Sequence, residues 1–176
     1  VFIDLEEGAK LRGLYADKDY PFFIRSTADF FNHPFASNSF GYKVNSALIG
    51  GVASTLPLDS WLTIGFATDQ HDGILKEKDT DSTIYQPGFM ENNDSKIGIL
   101  LTEADGLVIS EKEVTDYTFS DIAPENSIFG NETIGSDFTS TSVIINSQNG
   151  FSGSDDANQV LIAQLTTQGE LSLFMP

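Results

Sequence analysis

Ser60-Trp61-Leu62-Thr63-Ile64-Gly65-Phe66-Ala67-Thr68 decides the fold class. In an extended chain Leu62, Ile64 and Phe66 fall on one face, and Trp61, Thr63 and Gly65 on the other. A period of two is the signature of a strand, because a helix would repeat its apolar positions every three or four residues. The same alternation returns over 159–167, where Val160, Ile162 and Gln164 oppose Leu161, Ala163 and Leu165. Gln168-Gly169 then separates this run from 171–174, which reads as a hairpin. A second hairpin is predicted from 96–102 and 107–110, which flank Ala104-Asp105-Gly106.

Further strands are predicted over 22–25, 41–49, 117–119 and 142–145, with a shorter one at 2–5. Asn32-His33-Pro34, Asp72-Gly73, Gln86-Pro87-Gly88, Gln148-Asn149-Gly150 and Gly153-Ser154-Asp155-Asp156 carry turn chemistry. Helical periodicity is confined to 26–31 and 110–114. Many short strands joined by Gly, Asn and Asp turns predict an all-β protein, an antiparallel β-sandwich, with a β-barrel or jelly-roll-like arrangement as the alternative. The 14 phenylalanines suit a thick core between two sheets. The expected organisation is a single domain over 1–176. Residues 69–96 stand out as a long acidic surface loop, and 120–141 form a second polar stretch.

Twenty-six acidic side chains against nine basic ones give a formal net charge of −17. Nucleic acid is therefore excluded as an expected partner, since phosphate binding needs clustered Lys and Arg. The sequence contains no apolar run long enough for a membrane helix and opens on no basic segment followed by an apolar one. Cysteine is absent, and the two histidines, His33 and His71, both sit in turn-like sequence. There is no Gly-x-Ser-x-Gly elbow, phosphate loop or HExxH helix. With so many carboxylates a glycosidase-like pair arises somewhere by number alone and decides nothing. The expectation is a protein that is not an enzyme and has no required cofactor.

Calcium is the one metal the composition favours, because acidic Gly-containing loops supply oxygen ligands. The candidate ligands are Asp69, Asp72, Asp79 and Asp81, with Asp155-Asp156-Ala157-Asn158 a further acidic turn. None follows EF-hand spacing, and turn-forming Asp and Asn explain the same residues equally well. Asn93-Asp94-Ser95 and Asn131-Glu132-Thr133 match the glycosylation pattern at the frequency chance provides.

Contacts with other subunits are the stronger expectation. The 159–174 segment contains no Lys, Arg or Pro, and its only charge is Glu170. It therefore lacks the residues that normally blunt a sheet edge. The candidate interface residues are Trp61, Leu161, Leu165, Leu171 and Leu173. Trp61, the only tryptophan, is open to three readings: core packing, an interface anchor or a platform for a sugar ring.

Asn45-Ser46-Ala47-Leu48-Ile49, the run from Leu56 to Gly65 with its Asp59-Ser60-Trp61-Leu62-Thr63-Ile64-Gly65 core, and the run from Val160 to Ser172 resemble a family of β-rich proteins. These occur in marine bacteria and in algae with secondary plastids, and the group is similar to the diatom pyrenoid shell proteins. The matching segments span about a quarter of the chain. The resemblance implies a β-sandwich with a structural role, self-assembly into a thin sheet around the Rubisco matrix, and a plastid location. Two features depart from it: the motif occurs once rather than twice, and the acidic 69–96 stretch has no counterpart. From the residues and the resemblance together, the expected function is a structural or assembly protein, such as a shell or large-complex subunit, that self-associates or binds other subunits. The alternative is a calcium-dependent carbohydrate-binding module of a secreted protein.

Overall fold

The structure, a computed structural model, describes residues 1–35, 40–49, 53, 56–75, 106–113, 117–119, 128–129, 134–142 and 144–176. Twelve short strands appear among them: β1 (Phe2–Asp4), β2 (Leu11–Leu14), β3 (Phe22–Ser26), β4 (Trp61–Leu62), β5 (His71–Gly73), β6 (Leu107–Ile109), β7 (Tyr117–Phe119), β8 (Asp137–Ser140), β9 (Ile145–Phe151), β10 (Gln159–Leu161), β11 (Ala163–Gln164) and β12 (Leu171–Phe174). All strand pairs are antiparallel. The fold is the expected all-β sandwich, and among the described residues no sheet closes into a barrel. No helix of the described residues is long and apolar enough to cross a membrane.

Two three-stranded sheets, β12-β3-β8 and β2-β9-β7, supply opposite walls of the main core. Phe22 and Ile24 of β3 and Phe138 of β8 meet Leu14 of β2 and Ile145 and Phe151 of β9. Alternation along β3 explains the choice: Phe22 and Ile24 are fully buried, whereas Arg25 between Ile24 and Ser26 is exposed and pairs with Asp137. The sheets β1-β10 and β4-β11 run alongside this core. Val160, Leu62 and Ile64 join the main cluster, while Leu161 and Trp61 turn to a second one made with Val44, Ile49, Ala53, Leu56, Ala67 and Leu107. The segments 59–68 and 160–163 thus separate two apolar clusters, which is why neither face of them is wet.

Several sequence expectations are corrected. The 159–174 hairpin does not form: β10 pairs with β1, β11 with β4 and β12 with β3. Gln168-Gly169 turns the chain away instead, and Thr167 bridges to Phe30. The 41–49 strand is replaced by two short 3-10 turns, Gly41–Lys43 and Ser46–Leu48, the second capped by the Asn45 side chain accepting from Ala47 N. The 60–68 strand is regular only at Trp61–Leu62, because Gly65 at φ 86° breaks the extended run. Gln148-Asn149-Gly150 lies within β9 as a bulge opposite β2 rather than ending a strand. Neither helix candidate is helical where described, since Ser26 closes β3 and 110–113 is irregular.

Three strands fall where loop or turn was expected. β5 lies inside the stretch assigned to the acidic surface loop and pairs with β6. β8 lies inside the second polar stretch. β2 was not expected at all. The predicted 96–102 strand, and 76–96 of the acidic stretch, lie outside the described residues.

Candidate functional site

The motif segment works as a structural hinge, not as an exposed recognition surface. Every residue from Leu58 to Thr68 is buried. Asp59 Oδ1 accepts from His33 N at 2.7 Å, and Ser60 Oγ accepts from Thr166 N at 3.0 Å. Thr63 Oγ1 donates to Phe66 O at 2.6 Å, which satisfies a buried hydroxyl inside its own turn. Gly65 is required twice over: its φ is positive, and a Cβ would stand 2.0 Å from Phe151 Cζ. These contacts match the backbone-bonding role that Asp and Ser have at the start of a strand. Burial pushes the Asp59 carboxyl up from 3.8 to about 7, against the nearby backbone N–H groups of His33, which donates to Oδ1, and of Ser60, which pull it down. Burial also pushes His33 below its ordinary value.

The five candidate interface residues separate into three groups. Trp61 and Leu161 are 3% and 6% exposed and belong to the second apolar cluster, so neither presents a surface to a partner. Both line a cavity of about 310 Å³ whose rim includes Thr68 and Gln164. Thr68 Oγ1 already bonds the Gln70 and His71 amides and His71 Nδ1, and Gln164 Nε2 donates to Asp59 O. Leu165 is half-buried against the main core. Leu171 and Leu173 are exposed, and Phe174 beside them is exposed too.

Those three side chains belong to β12, an edge strand with β3 as its only neighbour among the described residues. Register places Leu171 opposite Ser26, Leu173 opposite Ile24 and Phe174 opposite Phe23. Leu173 therefore points to the face on which Ile24 is fully buried, yet remains 41% exposed because the strand overhangs the core. On the outer face Phe174 stacks on Phe23 at 5.6 Å, and the Arg25 guanidinium lies 4.4 Å from the Phe23 ring centre. The opposite edge of the sheet, β8, carries Asp137, Thr139 and Ser140. One edge is polar and the other apolar.

The calcium candidates are not gathered by the described residues. Asp69 Oδ1 accepts from Ser46 N at 3.0 Å. Asp72 is 2% exposed and takes Lys112 Nζ at 2.7 Å and Ser154 Oγ at 2.6 Å on Oδ2. Asp79 and Asp81 lie outside the described residues. In the further acidic turn, Asp155 Oδ1 is the acceptor for Gln159 N and Asn158 Oδ1 for Gly153 N. Among the described residues no group of three or more His, Asp or Glu is placed to hold a metal ion.

The Asp72–Lys112–Ser154 cluster was not legible in the sequence. Ser154 stood there as a turn residue and Lys112 carried no signal beyond its charge. Their meeting depends on the pairing of β5 with β6 and on the chain leaving β9. No protein-family model, curated protein or solved structure matches the chain.

Proposed function

We propose that this chain is a non-enzymatic structural or assembly protein that acts through protein–protein contacts, with β12 as the joining edge. The observation that carries the reading is the exposure of Leu171 and Leu173 on one face and Phe174 on the other, all 41–50% exposed on an edge strand without a charge. An edge strand offers unpaired N–H and C=O groups, and apolar side chains flanking them favour addition of another strand. The simplest partner is a second β12 related by a two-fold axis. Antiparallel pairing across that axis extends β8-β3-β12 into a six-stranded sheet shared by two chains. Such an isologous contact closes on itself, so a larger shell requires a second, different contact. The resemblance to pyrenoid shell proteins supports a shell or large-complex subunit of a secondary plastid as the setting.

Charge opposes this contact. A net −17 makes copies repel, and the repulsion fades beyond a Debye length of about 8 Å at physiological salt. Added salt should therefore strengthen association. Sedimentation velocity over rising protein concentration tests the proposal. A dimer that grows with concentration and salt, and is lost in Leu173→Lys, is the expected result. A single monomer under all conditions sinks it. A monomer that instead gains thermal stability from calcium and glycan together would favour the carbohydrate-binding alternative.

A further inference from the structure

β5 and the residues following β6 bring a lysine amine onto a buried carboxyl group. Lys112 Nζ lies 2.7 Å from Asp72 Oδ2. Ser154 Oγ lies 2.6 Å from the same oxygen and 3.3 Å from Nζ, so its hydroxyl touches both groups. The Asp72 side chain is 2% exposed and that of Lys112 is 31% exposed. Among the described residues Asp72 Oδ1 is buried without a hydrogen-bond partner, and Nζ stands 4.0 Å from the Phe151 ring centre. A buried ion pair offsets its desolvation only when its remaining lone pairs are satisfied, and here one oxygen is not. The ion pair holds the amine against the carboxyl group, so a reaction between them needs no encounter step.

We propose that Lys112 and Asp72 condense into an intramolecular amide, an isopeptide crosslink, with Ser154 as the proton carrier. The Nζ lone pair attacks Cγ of Asp72 after the ammonium group gives up one proton. The Nζ–Cγ bond forms and the Cγ–Oδ2 bond breaks. Both protons lost from Nζ leave on Oδ2 as one water molecule, passed by the Ser154 hydroxyl, which ends as it began. Oδ1 stays as the amide carbonyl oxygen. No oxidant or reductant takes part. Condensation replaces a buried carboxylate and a part-buried ammonium with a neutral amide, which removes the cost of keeping the carboxylate charge out of water. Water departs along the exposed side of Lys112. The crosslink ties the base of the 73–111 segment, the role a disulfide would fill in a chain that has no cysteine.

Intact-protein mass spectrometry of the folded chain tests this directly. The expected mass is lower than the sequence mass by one water, with the tryptic peptides that carry Asp72 and Lys112 recovered as one branched peptide. Lys112→Arg restores the full mass. In freshly refolded protein, Ser154→Ala should slow formation of the branched peptide by roughly a hundredfold. A folded wild-type chain at full sequence mass after prolonged incubation, with the two peptides separate, overturns the crosslink whatever the variants do. Formation at an unchanged rate in Ser154→Ala overturns the role of the serine.

Discussion

Residues 59–68 and 171–174 carry the same alternation of large apolar side chains, yet Leu62 and Ile64 are fully buried while Leu171, Leu173 and Phe174 are 50%, 41% and 41% exposed. Each segment contains a strand, β4 and β12, that pairs with a neighbouring one. The difference lies in what covers their faces. Residues 59–68 run between two apolar clusters, so each face meets packed side chains. β12 overhangs the main core at a sheet edge, so its inward leucines reach past the residues that would cover them. Alternation therefore measures the tendency to form a strand, and the neighbouring elements determine whether that strand anchors the fold or is left for a partner.

The sharpest way to break this contrast is to disturb the buried segment at Gly65. Gly65→Ala combines a strained positive φ with a Cβ 2.0 Å from a ring atom of Phe151. The expected loss is about 4 kcal/mol or more, read from urea unfolding. Ile64→Ala should cost about 2–5 kcal/mol in the same measurement, since a fully buried side chain leaves a cavity. Leu173→Ala, by contrast, should cost under about 1 kcal/mol. Equal losses for Ile64→Ala and Leu173→Ala would end the distinction between the two regions.

Asp59 sharpens the comparison through pH. Its native carboxyl, raised to about 7 from 3.8, keeps a proton that the unfolded chain has released between those values. The stability tied to this group is greatest below the unfolded value, falls as pH rises towards 7 and is level above it. Asp59→Asn removes that component. The variant's unfolding free energy relative to wild type should rise by a few kcal/mol between about pH 4 and pH 7. A constant difference across that range would mean that Asp59 does not titrate with folding. β12 has no titratable side chain, so a substitution there should leave the pH profile unchanged.

The smallest expected effect on stability belongs to Leu171→Lys with Leu173→Lys. The pair should shift the thermal midpoint of the monomer only slightly, because half-exposed side chains surrender little buried area. It should nevertheless abolish association in the sedimentation experiment. Association that survives both lysines would move the contact away from β12.

Sequence reading reached the all-β class because period-two patterning and turn residues are local properties. It also found the strand at 22–25, which follows from alternation. It missed β5 and β8 because His71-Asp72-Gly73 and Asp137-Phe138-Thr139-Ser140 are rich in turn-forming and polar residues. Tertiary pairing overrides such preferences: Gly73 is kept small by Leu161 Cδ2, which would stand 2.4 Å from a Cβ, and Phe138 anchors β8 in the core. Trp61 was equally ambiguous, since a side chain opposite a buried face is exposed only when nothing covers it.

By itself the sequence determined the strand-rich class, the strong negative charge and the absence of cysteine, because each is written in composition or in spacing between neighbours. Strand partners, the burial of Trp61, the overhang of Leu173 and the meeting of Asp72, Lys112 and Ser154 were decided only by the tertiary structure. They join residues far apart in the chain: Asp72 meets Lys112 40 positions away and Ser154 82 positions away. No local pattern encodes such distances, because any strand of suitable alternation can pair with any other until the packing of the whole core selects one arrangement.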